Sequence, residues 1–359
     1  MKKRSLSTNT KARTALSFTL ISRVLSPNGW STIFCPRGLR ILTSPNLITF
    51  IGLLILLTPF VLTFMLFGWG LNGQVVKERW LNFLAGFAVL AYSTLDNADG
   101  KQARKTGNSS TLGMLFDHGC DCLVTGVLCV ISSHVLSIEA PYAALLTGVA
   151  CLVFFLKICE QAATHRLNLG TFNPVDEGLP FIAFLYFISG MLGNEIWSLE
   201  SPFLEIKVRN LSILILVLVT AVFTLFSGYQ VVKVKSLFWM LKKLSPFFFL
   251  CFVCASVLLS PLTVAVSHSK CLFVFFILLQ ARMCIGIMMS HVQGLEPSSL
   301  QFYPFVLSCF MGIIGALSFL SKDFDYALSF AYFSLFAISV LCKLTRLHHL
   351  HLYSFLLFG

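Results

Sequence analysis

Ten apolar stretches divide the chain, at roughly 46–68, 80–98, 111–135, 141–164, 178–193, 210–232, 246–266, 270–290, 301–320 and 325–342. The breaks between them carry charge, Gly, Pro or Asn. About 20 apolar residues in a helix cross a bilayer. Only 11% of the 359 residues are charged, whereas a soluble domain carries about 25%. Such a chain cannot cover itself with a solvated surface. A lipid-embedded segment must satisfy its backbone polar groups internally, which leaves helices as the reading for these stretches. The expectation is an all-α polytopic membrane protein with about ten transmembrane helices.

Sidedness follows from Lys and Arg, which accumulate on the cytosolic side. With a cytosolic N-terminus, all but six of the 26 (Lys77, Arg79, Lys207, Arg209, Lys270 and Lys322) fall on the cytosolic side. An odd number of spans would spoil that asymmetry, so both termini are expected to be cytosolic. The net charge of +11 is thereby assigned to the membrane, and no nucleic-acid partner is expected. Residues 1–44 form a basic segment without an acid. Two readings stay open for it: an amphipathic interfacial segment, or a basic tail against anionic lipid. The 12 cysteines are scattered through apolar runs and read as small buried hydrophobes. Cys251 and Cys254 form a CxxC with no His or second CxxC nearby, so zinc is not expected.

Four of the chain's aspartates, Asp96, Asp99, Asp117 and Asp121, crowd into one short window. Asp96 and Asp99 are three apart, and Asp117 and Asp121 four apart, so each pair shares a helical face. The first pair ends the second span. The second pair begins the third, and a short connection at roughly 101–110 makes the two helices antiparallel neighbours. The carboxylates are therefore expected to converge near the cytosolic surface. A charge in hydrocarbon costs about 3 kcal/mol or more, and four carboxylates repel one another. Hard divalent cations with oxygen ligands answer both problems, and Mg²⁺ shares its shell with phosphate oxygens. Two bridged ions suit phosphoryl chemistry. Gly100 and Ala103 leave one helix side bare for a bulky ligand, and Gly113 does the same opposite. Arg104 is placed for a bidentate phosphate contact, with Lys101 and Lys105 adding positive field. An ordinary solvated loop accounts for Lys101 to Ser110 but not for two face-matched acidic pairs.

The spacing Asp-x-x-Asp-Gly-x-x-Ala-Arg, eight residues, Gly-x-x-x-Asp-x-x-x-Asp resembles the signature of the CDP-alcohol phosphotransferase family. Asp96, Asp99, Gly100, Ala103, Arg104, Gly113, Asp117 and Asp121 fill every fixed position. The wording "DGKQAR…NSS…LG…LFDHGCD", with "SPNLITFIGL" at 44–53, is similar to the eukaryotic choline/ethanolamine phosphotransferase branch. The resemblance implies transfer of a phospho-alcohol, phosphoethanolamine or phosphocholine, from its CDP ester to diacylglycerol with release of CMP. It implies Asp96, Asp99, Asp117 and Asp121 as ligands to Mg²⁺ or Mn²⁺. Asn46, Gly100, Ala103, Arg104 and Gly113 are implied around the CDP moiety. It further implies a homodimer in the endoplasmic reticulum or Golgi. On this reading 45–235 is the catalytic unit, 236–342 holds helices 7–10, and 343–359 is a His-rich tail.

The lipid hydroxyl must lose a proton, and a base is best with a pKa near the working pH. His118 lies between two of the aspartates and is an imidazole, so it is the expected catalytic base, with Asp121 as the alternative. His165, His291 and the tail histidines His348, His349 and His351 read as interfacial. Glu160 and Gln161 are candidates to face the headgroup. The eight filled positions argue against a catalytically dead scaffold, and two further rivals are weighed. One is another family activity of the phosphatidylinositol-synthase type. The other is a cation transporter, which would spread acids through the bilayer depth.

Overall fold

The computed structural model describes residues 44–75, 77–165, 174–201, 205–258 and 269–294. Within them the fold is all-helical: α1 (Pro45–Phe67), α2 (Arg79–Thr106), α3 (Thr111–Val135), α4 (Ala140–Thr164), α5 (Pro174–Leu192), a 3-10 turn (Asn194–Ser198), α6 (Val208–Val234), α7 (Leu237–Leu258) and α8 (Ser269–Val292). These fall on the first eight apolar stretches. The expected spans at 301–320 and 325–342, the segment before Ser44 and the His-rich tail lie outside the described residues. Among the described residues, five helices are long and apolar enough to cross a bilayer: α1, α3, α4, α6 and α8 from Leu272.

The helix ends have local causes. Ser44 caps α1 by accepting from the Leu47 amide at 3.3 Å, and Pro45 fills the first turn where its missing N–H costs nothing. Asn46 therefore lies in the first turn of α1. The connection expected at 101–110 is shorter than its polarity suggested. Lys101 to Lys105 are good helix formers, and α2 continues through Thr106. Gly107, at φ 72°, stops it in the left-handed region, its N–H reaching the Ala103 and Arg104 carbonyls. Ser110 then caps α3 through the Gly113 amide at 3.0 Å.

α2 and α3 make little direct backbone contact, although they are consecutive. Both pack on α1 instead, and α2 packs further on α5. The interval between α2 and α3 is where the acidic side chains project. One apolar cluster joins α1, α2, α3 and α5 through Leu56, Val89, Tyr92, Val124 and Tyr186. A second joins α4, α7 and α8 through Phe155, Phe247 and Leu279. At the end of the bundle away from the aspartates, the fully buried Lys270 donates to the Thr63 and Gly68 carbonyls at 2.8 and 2.6 Å. This ties the start of α8 to the end of α1.

α3 and α8 approach closely at Gly126, where an added Cβ would overlap Ile277. Gly126→Ala is expected to destabilise the protein by about 1–3 kcal/mol, the usual cost of overpacking. Thermal unfolding in detergent measures it; an unchanged midpoint would show that Ile277 can move aside.

Candidate active site

The four aspartates converge as their helical faces predict. Ligand-type atoms of Asp96, Asp99 and Asp117 lie within 4.8 Å of one another, as do those of Asp117, His118 and Asp121. Asp117 belongs to both groups, so two turns of α2 and two of α3 contribute to one continuous cluster. Asp99 is buried, and Asp117 remains 31% exposed, so the cluster is open on its α3 side.

The oxygens are unevenly satisfied. Thr49 on α1 donates its hydroxyl to Asp99 Oδ2. Tyr92 on α2 donates to Asp121 Oδ1 at 2.6 Å. Asp96 Oδ1 and Asp117 Oδ1 are buried without a hydrogen-bond partner. Buried charged oxygens are normally paired or coordinated to metal. An all-oxygen set with two open oxygens fits a hard divalent cation.

His118 sits at the cluster's edge, its side chain 15% exposed. Its Nδ1 is 3.4 Å from Asp117 Oδ2, an ion-pair distance, and makes no hydrogen bond. Asn46 is nearby: a Cβ added to Gly113 would stand 3.4 Å from its Oδ1, so the bare Gly113 lets α1's first turn approach α3. Arg104 folds back over Gly100, whose added Cβ would stand 3.4 Å from Nη1. Ala103 is half-buried. Lys101, Arg104 and Lys105 are exposed on the last turns of α2, outside the carboxylate cluster.

Thr49 and Tyr92 escaped sequence reasoning. Both carried a signal: Thr49 lies one turn after Asn46, and Tyr92 lies four residues before Asp96 on the same face of α2. The weaker candidates sit farther along. Glu160 is buried and paired with Lys157 at 2.8 Å. The His165 ring lies beside that of His291, with centroids 4.9 Å apart and planes tilted by 34°.

A family model described as CDP-alcohol phosphatidyltransferase matches residues 42–226, which contain the whole cluster. The chain belongs to that family. Members use divalent metals, in keeping with the open oxygens of Asp96 and Asp117. The chain is 34% identical over 189 residues to an uncharacterized CDP-alcohol phosphatidyltransferase class-I family protein 3 of Dictyostelium discoideum, covering 51% of this chain and 45% of that one. It is 33% identical over 156 residues to choline/ethanolaminephosphotransferase 2 of Arabidopsis thaliana, covering 43% and 39%. With cholinephosphotransferase 1 of Homo sapiens it shares 30% over 173 residues, covering 48% and 42%. The chain spans about half the length of the curated relatives it matches, or somewhat less. Five of its described helices are long and apolar enough to span a bilayer, which fits a membrane-embedded member of the family.

Proposed function

We propose that the protein transfers phosphoethanolamine or phosphocholine from the CDP-alcohol to diacylglycerol, producing phosphatidylethanolamine or phosphatidylcholine and CMP. The carrying observation is the single cluster of four aspartates from two helices, with two buried oxygens left open. A cation transporter would need acids through the bilayer depth. Here they gather at one end of two helices, beside exposed Lys101, Arg104 and Lys105. The relatives named for choline and ethanolamine transfer favour those headgroups.

In this reading Asp96, Asp99, Asp117 and Asp121 hold Mg²⁺ or Mn²⁺. Ions held there would supply positive charge to the pyrophosphate and to CMP as leaving group. Asn46 and Arg104 contact the CDP moiety, while Gly100, Ala103 and Gly113 leave it room. Lys101 and Lys105 supply positive field toward the phosphates. The diacylglycerol oxygen attacks the phosphorus bearing the headgroup as the bond from that phosphorus to the CMP oxygen breaks. His118 takes the hydroxyl proton; Asp121 is the alternative acceptor. The site faces the cytosol in the endoplasmic reticulum or Golgi, in a homodimer.

The test is CMP release by the purified full chain in detergent with diacylglycerol, Mg²⁺ or Mn²⁺, and CDP-choline or CDP-ethanolamine. Release with at least one donor is expected, and the ratio of the two rates assigns the headgroup. No release with either donor overturns the proposal.

A further inference from the structure

Tyr92 is a core residue by burial, 1% exposed, within the apolar cluster of α1, α2, α3 and α5. Its hydroxyl nevertheless crosses from α2 to α3 and donates to Asp121 Oδ1 at 2.6 Å. The ring is held from the α1 side: an added Cβ on Gly52 would stand 3.4 Å from Tyr92 Cδ2. A side chain locked by packing with one donor aimed at a carboxylate fixes that carboxylate's rotation. The same device recurs at Thr49 and Asp99. Asp96 and Asp117 lack one, and theirs are the buried oxygens left open. The four acids thus divide into two that protein hydroxyls hold and two that are not held at those oxygens.

We infer that Tyr92 is a positioning residue. It orients Asp121 before any cation arrives, so that the site is built in advance on the α3 side. A donor on one oxygen occupies one lone pair and leaves the rest of the carboxylate for the ion. Partners of this kind are worth about 10–100-fold in metal affinity elsewhere. The inference rests on the cation-binding reading of the cluster and extends it to a residue outside the family's fixed spacing.

The test uses the full chain in detergent with Mn²⁺ alone, following free Mn²⁺ by electron paramagnetic resonance. Tyr92→Phe, isosteric with the native ring, is expected to bind Mn²⁺ about 10–100-fold more weakly than wild type. In an Asp121→Asn background the same change should add no further loss, because Tyr92 acts through that carboxylate. Wild-type protein that binds no Mn²⁺ would overturn the cation reading itself. Wild-type binding with an unchanged Tyr92→Phe affinity would overturn the role of Tyr92 alone. A full further loss on top of Asp121→Asn would do the same, since the tyrosine would then act by another route.

Discussion

Asp117→Asn is expected to reduce CMP release by about a thousand-fold or more. Asp117 is the aspartate common to both ligand groups, lying within 4.8 Å of Asp96 and Asp99 on one side and of His118 and Asp121 on the other. Its Oδ1 is among the buried oxygens left open. Asparagine keeps the size and one acceptor oxygen but removes the charge. A bound cation contributes several kcal/mol of transition-state charge stabilisation, and each 1.36 kcal/mol is tenfold in rate. Mn²⁺ titration of the same variant should show weakened binding. Normal turnover in Asp117→Asn would remove the cluster from the chemistry.

His118→Ala is expected to lower turnover by about 10²–10⁴-fold, the range supplied by a positioned base, with Mn²⁺ affinity near that of wild type. The structure places the imidazole between two readings. It reaches the same distance group as Asp117 and Asp121, as a ligand would. Its Nδ1 also lies 3.4 Å from Asp117 without a hydrogen bond, as a base awaiting its proton donor would. The paired measurement separates them. Lost turnover with intact Mn²⁺ binding, and loss of the acid limb of the pH–rate profile, identify the base. Lost Mn²⁺ binding identifies a ligand. Near-normal turnover returns the role to Asp121.

The convergence of the four aspartates was legible because helical periodicity is rigid. Offsets of three and four put Asp96 with Asp99 and Asp117 with Asp121, and no tertiary information was needed to align each pair. The helical segments were legible for a related reason, since bilayer thickness sets the length of each apolar run. The site's supports were not. Tyr92 and Thr49 look like ordinary span residues, and their hydroxyls become informative only once α1 is known to pack against both α2 and α3. The break at 101–110 misled because polarity was read as loop, whereas exposed Lys and Arg extend a helix until Gly107 ends it.

α8 begins beyond residue 226, where the family match ends, yet it lies directly behind α3, which carries Asp117 and Asp121. Ile285 stands against Gly119 and Ile277 against Gly126, bracketing Asp121 along α3. The acidic cluster and the wall behind it thus lie on opposite sides of the point where the family match ends. A change at Ile277 or Ile285 would press on α3 and its two aspartates without touching a residue of the acidic spacing.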